Sequence, residues 1–479
     1  MSNASSSQKL REGTLSTGSI VFMVVAAAAP LTVIAGTVPL GLSMGNGAGY
    51  PAMYAISAIL LGVFSIGLVT MSKFVKDPGG FFSFVEATFG RRVGIGTAYV
   101  ALAAYTVIQL AVYGYLGQAL STLLDPVVHI PWFIMTLVNI AIIGFLGYRN
   151  IELSSKALGV LLIAEIAIVV LIDFFVVKDG GNNGLDMVPF MPRTITSGSF
   201  GIGLTLALAG FIGFESTTVF HSEARDPDRT IPRATYLAVA IIGIFYALSS
   251  WAIVEGVGSQ NAVQAATDDP EGLVGAVATR YVGSWSGPVV QVLLLTSLFA
   301  CVLSFHNVLS RYQFAISHKR GLPRGLRHVH DKFGSPHVSS VVQTVTAAVL
   351  VIGCALAQLD PILQVFTWFS GAASFMIIVL MLATSICVVL FFRHGTFENV
   401  NAWNSKIAPV IAAIGLTISL YIVGSNLTVL TGNFFVSGAV IATVPVLFIA
   451  GLLFATFIPE KASATPAPKV EPAISHAAL

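Results

Sequence analysis

The stretch AAAAPLTVIAGTVPLG, Ala26 to Gly41, decides how the chain folds. It is apolar enough to lie in hydrocarbon, yet it carries Pro30, Gly36 and Pro39, which a continuous helix avoids. Proline removes a backbone donor and clashes with the preceding turn, and β-branched Thr32, Val33 and Ile34 are weak helix formers. A second stretch has the same character: ALAGFIGFES, Ala207 to Ser216, holds Gly210 and Gly213 and then Glu215. Unpaired backbone at membrane depth is tolerated only where it lines a cavity.

Composition places both stretches in a bilayer. Of 479 residues, 55% are hydrophobic and only 10% charged, and the mean hydropathy is +0.86. Soluble proteins carry about 25% charged residues, so this chain could not solvate its own surface. A net charge of +2 gives no basic face for nucleic acid. The apolar run from Gly18 to Ser43 is too long for a signal-peptide core. Cys301, Cys354 and Cys387 sit in three separate apolar runs, as packing residues rather than a disulfide framework or metal cluster. No cofactor motif occurs.

A membrane helix needs about 20 apolar residues, which gives twelve spans. They cover 19–42, 50–72, 94–123, 131–148, 153–177, 199–222, 233–254, 286–316, 337–358, 362–392, 407–429 and 433–458. Their continuous apolarity excludes a β-barrel, whose strands alternate. With the N-terminus in the cytoplasm, every Lys and Arg except Lys178, Arg193 and Arg280 falls in an inside segment, the distribution of the positive-inside rule. Both termini are therefore expected in the cytoplasm, with the protein in the plasma membrane (the inner membrane of a Gram-negative cell).

The expected fold is an all-α polytopic membrane protein. A tail, 1–17, precedes a transporter region, 18–458, and a disordered tail follows at 459–479. The two interrupted spans are the first and the sixth, corresponding members of two five-helix blocks at about 18–178 and 197–392. Five is odd, so the second block starts from the opposite side and the repeat is inverted. Helices 11 and 12, about 407–458, lie outside it. Paired interruptions of this kind point to a secondary-transporter site near the midplane, where half-helix ends offer amides and carbonyls. The loop from Glu255 to Ser284 has room for a short surface helix, and the basic loop His318–His337 reads as attracted to anionic lipid.

Carboxyls inside a bilayer are expensive and need a reason. Glu215 starts the second half of helix 6, where it either holds a helix break or titrates during transport. Glu165 lies about twelve residues into helix 5, ~18 Å along its axis and close to the midplane. Glu152 and Lys156 have salt-bridge spacing on the same helix. Asp173, near the outer end, is expected to reach water.

Four stretches resemble the amino acid–polyamine–organocation permeases, which have the LeuT-type fold. They are DPGGFFSFVEATFG (Asp77–Gly90), GFIGFES (Gly210–Ser216), EARDPDRTIPRA (Glu223–Ala234) and SRYQFAISHKRGLPRGLRHVHDKFGSPHV (Ser310–Val338). The resemblance implies a small amine or amino acid bound between helices 1, 3, 6, 8 and 10. It maps the helix-1 contacts onto Pro30, Leu31, Thr32, Val33, Ile34, Ala35 and Gly36, with amides at Thr32, Val33 and Ile34. The helix-6 contacts map onto Ala209, Gly210, Ile212 and Phe214. No glycine occupies the helix-1 amide positions, so an amine without a carboxylate stays open beside an amino acid. The aromatic gate of many relatives is Ala209 here, so another side chain must cover the site. Gln109 and His306 align with substrate-facing positions, and Tyr105 shares the face of Gln109 one turn away. Glu165 aligns with a lysine that carries the coupling proton in some relatives, and is expected, with Glu215, to act in coupling or gating.

The function expected is a secondary active transporter of an amino acid or related amine. Proton symport with alternating access leads, with helices 1, 2, 6 and 7 rocking against the rest. Polyamine import and substrate–product exchange use the same scaffold, and a transporter-like nutrient sensor is the alternative from another class. The partners are the substrate, protons and the lipid bilayer. No G-x-x-x-x-G-K-[ST] or H-E-x-x-H motif occurs, so neither ATP hydrolysis nor membrane enzymology is expected.

Overall fold

The structure, a computed structural model, describes residues 15–76, 79–149, 155–222, 224–394, 397 and 400–457. Residues 1–14, most of the first expected tail (1–17), and 458–479, which include the second (459–479), lie outside the described residues, together with Asp77, Glu152, Glu223 and the side chain of Lys156. Among the described residues the architecture is entirely helical, with one isolated bridge between Leu15 and Ala224.

Among the described residues eleven spans are long and apolar enough to cross a membrane. With the short fourth, they are α1 (Thr17–Ser43), α2 (Gly47–Ser72), α3 (Arg91–Leu124), α4 (Trp132–Tyr148), α5 (Gly159–Lys178) and α6 (Phe200–Thr218). Then follow α7 (Pro227–Val257), α8 (Ser286–His318), α9 (His337–Leu356), α10 (Pro361–Arg393), α11 (Trp403–Thr431) and α12 (Phe434–Phe457). Helix α4 has 17 residues, roughly 26 Å at 1.5 Å per residue, short of the ~30 Å hydrocarbon core. The expected count of twelve full-length spans is therefore eleven plus this shorter apolar helix.

Both interruptions form, and the first differs in place from the expectation. The initial half of α1 runs Thr17–Ala28 from an N-cap at Ser16. Ala29 then adopts a left-handed conformation (φ 48°, ψ 71°), and a new helix starts at Pro30. The residue before a proline is pushed out of the right-handed helical region, while proline itself suits a first helical position. The break thus falls on Ala29, and Thr32, Val33 and Ile34 are helical. Val33–Thr37 form a π-turn leading into Val38–Ser43. In α6 the helix ends at Ala209, and the turn through Gly210–Gly213 feeds a 3-10 helix, Phe214–Ser222. Gly213 has φ +111°, a conformation open to glycine alone at low cost.

A short helix, Phe81–Phe89, packs against α3 and α10. Behind it Arg91 donates to the carbonyls of Lys319 (3.0 Å), Ala455 (3.3 Å) and Arg320 (3.4 Å), closing the ends of α8 and α12. Lys319 pairs with Glu86 at 3.1 Å. The loop between α7 and α8 carries two short helices, Ala262–Asp268 and Leu273–Tyr281, where one was expected.

Candidate substrate site

The two interruptions pack directly on each other. A Cβ at Gly210 would lie 3.2 Å from Cγ1 of Val33, so the missing side chain at Gly210 is what lets α1 and α6 approach. Around this contact, the polar groups released by the breaks are taken up by side chains from neighbouring helices.

At the α1 break, the Tyr246 hydroxyl of α7 donates to the Ala28 carbonyl at 3.0 Å. Cys301 of α8 approaches the Ala27 carbonyl at 3.8 Å. On the other side of the break, Glu165 of α5 faces the Leu31 amide and the Ser297 hydroxyl. Thr32 donates to the same Ser297 oxygen at 3.1 Å. Glu165 is buried and sits at the N-terminal end of the second α1 half, where aligned peptide dipoles favour an anion. Helices 1, 5 and 8 thus meet on one carboxyl.

At the α6 break, the Gly213 amide donates to Glu215 Oε2 at 3.0 Å. The Tyr105 hydroxyl of α3 donates to Oε1 at 2.5 Å. Glu215 is also buried, and each of its oxygens has one donor. A small cavity of about 60 Å³ opens beside this pair, bordered by Ala27, Gly80, Phe81, Tyr105, Gly213, Glu215, Ser216, Ser304, Phe305, Val308 and Tyr312. The hydroxyl of Tyr312 is buried without a hydrogen-bond partner, and its ring meets that of Tyr105 edge-on at 6.1 Å.

The far end of α1 is closed by aromatic rings. Tyr115 of α3 donates to the Ala35 carbonyl at 3.1 Å and stacks obliquely on Phe366 of α10 at 5.1 Å. A Cβ at Gly36 would come within 2.6 Å of Tyr115, so Gly36 is where the rings settle on α1. On the opposite flank Tyr54, Phe211 and Tyr246 cluster, and Tyr54 shares a 2.7 Å hydrogen bond with Thr37. Helices 1, 2, 6 and 7 are joined by this cluster.

Several residues named from the sequence sit elsewhere. Gln109 donates to the Val302 carbonyl (3.2 Å) and accepts from Gln343 (2.8 Å), which in turn accepts from Gln313 (2.8 Å). His306 shares a 2.9 Å hydrogen bond with Ser340 and packs where Gly147 lacks a side chain. Both therefore face α9, and neither borders the cavity. Phe214 packs edge-on against Phe64 of α2 at 6.1 Å. Pro30, Leu31, Ile34, Ala209 and Ile212 are buried at the breaks but do not border the cavity either. Asp173 is engaged by the Ser249 hydroxyl at 2.6 Å, and its other oxygen is buried, so it does not reach water as expected.

The sequence reading missed Ser304, Val308 and Tyr312. Their four-residue spacing puts them on one face of α8, a signal that was available. Gly80 and Phe81 lie in a quoted motif but were not assigned to the site.

The sequence profile of the amino acid permease family matches residues 15–466. The chain belongs to that family. Within it the chain is 21% identical to the serine/threonine exchanger SteT of Bacillus subtilis over 359 residues, 74% of this chain and 77% of that protein. It is 24% identical to the branched-chain amino acid permease BcaP of Lactococcus lactis over 398 residues, 78% and 82% of the two chains. A higher identity, 34%, links it to the uncharacterized transporter Rv1999c of Mycobacterium tuberculosis over 146 residues, 30% of this chain and about a third (32%) of the relative. These relatives are transporters, not enzymes, and they place this permease in the amino acid–polyamine–organocation superfamily as a multi-pass membrane protein.

Proposed function

We propose that this permease is a proton-coupled secondary transporter of an amino acid or related amine. It resides in the plasma membrane, with both termini in the cytoplasm and access alternating around the paired breaks. The observation that carries this reading is Glu215, held between the Gly213 amide and the Tyr105 hydroxyl at the edge of the cavity. An ionised carboxyl accepts from both donors, whereas a protonated one becomes a donor itself at one oxygen. A proton arriving at Glu215 therefore loosens the tie between α3 and the α6 break. Glu165 supplies the matching tie at α1, through Leu31 and Ser297.

The rocking unit is α1, α2, α6 and α7, fastened by Tyr54, Phe211 and Tyr246. The hydrogen bonds of Glu165 and Glu215 cross from that unit to α5, α3 and α8. Their making and breaking is the two-state element that a bound proton or substrate biases. Exchange is the second reading, supported by the similarity to the serine/threonine exchanger SteT. Uptake of labelled serine, leucine, lysine and putrescine into proteoliposomes, with and without an inward proton gradient, tests the proposal. Gradient-driven accumulation supports symport. Accumulation that requires preloaded substrate supports exchange instead.

A further inference from the structure

Charge inside the bundle is one-sided. Among the described residues the buried ionisable acids are Glu165, Glu215 and Glu255, and no Lys or Arg is buried. The two acids at the breaks also occupy amides that a substrate carboxylate would use. Gly213 N–H is given to Glu215 at 3.0 Å, and the Leu31 N–H faces Glu165. A half-helix N-terminus whose amide already serves an internal carboxyl is a poor second site for an external one, because the two anions would repel. The hydroxyls bordering the cavity, Ser216, Ser304 and Tyr312, can accept hydrogen bonds as readily as donate them.

The end of the bundle above the Tyr115–Phe366 lid continues the pattern. Glu271 accepts from Thr122 at 3.3 Å and lies close enough to Tyr115 to act on its hydroxyl electrostatically. Asp269 and Asp360 are exposed, and their charges reach Glu271. Arg280, on the same end, is drawn to Asn182 at 2.6 Å. A low-dielectric mouth lined by one sign of charge concentrates ligands of the opposite sign.

We infer that the carried molecule is a net-cationic amine, steered by Glu271 and Asp360 and received through its positive group at Glu215 beside Tyr105. This rests on the transporter reading above and names the substrate class for the same site. While the cation is held, Glu215 is ionised, so the coupling proton travels on Glu165, and a proton reaches Glu215 only when the substrate is absent.

The test is uptake of labelled putrescine, lysine, leucine and aspartate by the purified full-length protein in proteoliposomes, at low and high salt. Putrescine and lysine are expected to enter about ten-fold or more faster than leucine, with aspartate excluded. Glu271→Gln and Asp360→Asn keep the hydrogen-bonding capacity of each site, so both variants should fold. Each is expected to raise KM for the cation by about three-fold at low salt, with kcat unchanged and the difference lost at high salt. Faster entry of leucine or aspartate overturns the inference while leaving the transporter reading in place. So does an unchanged KM in both variants. Entry of none of the four overturns the transporter reading, and this inference with it.

Discussion

The Tyr105 hydroxyl donates to Glu215 Oε1 at 2.5 Å, tying the middle of α3 to the α6 break. Glu215 is buried, so the bond is made where water cannot replace it. A hydrogen bond to a charged group contributes about 1.5–3 kcal/mol net. Tyr105→Phe removes the donor and leaves a buried carboxyl oxygen unsatisfied. Uptake kcat/KM is expected to fall by roughly 10- to 100-fold, measured in proteoliposomes at a fixed proton gradient. A variant that transports at the wild-type rate would remove Tyr105 from the mechanism.

Gly213 has φ +111° at the turn that releases the amide to Glu215. A Cβ there would meet nothing closer than Ala27 at 4.0 Å, so space is not the obstacle. Backbone strain is, at about 1–3 kcal/mol for a residue held in a sparsely populated region. Gly213→Ala is expected to lower the unfolding temperature in detergent by a few degrees and to reduce uptake. A thermal melt indistinguishable from wild type would contradict the strain account.

The chain Gln109–Gln343–Gln313 links α3, α9 and α8 through 2.8 Å amide contacts. A structural role and a substrate-contact role make different predictions for it. Gln109→Ala and Gln343→Ala are each expected to lower stability. The double variant should cost less than the sum, with a coupling of about 0.5–1.5 kcal/mol as measured for interhelical polar pairs. The preference among substrates should not move. A changed preference with unchanged stability would restore Gln109 to the binding site.

Glu271, in the loop between α7 and α8, has its carboxyl pushed above the ordinary range by burial, with Asp269 and Asp360 adding to the effect. The folded protein therefore favours the protonated form more than the unfolded chain does. Its contribution to stability is present at low pH and is lost as pH rises from about 4.3, the ordinary glutamate value, through the raised one. Melting temperatures measured upward from pH 4 should fall less steeply in Glu271→Gln than in wild type. Parallel curves would contradict the assignment.

Much of the fold was legible because hydrocarbon imposes a simple code. Long apolar runs and the placement of Lys and Arg locate the spans within a few residues. The two breaks were legible as well, because proline and glycine are costly inside an apolar helix. The exact seat of the first was not. The resemblance put the break's amides at Thr32, Val33 and Ile34, whereas proline restricts the residue before it and starts a helix itself, so the break fell on Ala29. Helix rotation was the harder matter. Gln109 and His306 are polar residues in apolar helices, and sequence alone does not say which neighbour satisfies them. The structure turns both toward α9, through Gln343 and Ser340. Tyr105, four residues from Gln109, faces the cavity instead.

The central claim is that proton movement accompanies the substrate through the ties made by Glu165 and Glu215. It is tested most directly by loading proteoliposomes with a pH-sensitive dye and adding serine, leucine, lysine or putrescine outside. Wild-type protein should acidify the lumen with whichever substrate it carries. Glu165→Gln, which keeps the side chain's size and one acceptor oxygen but cannot take up the proton, should still admit that substrate down its gradient without acidification. Substrate entry by wild-type protein with no change in lumenal pH would contradict the account.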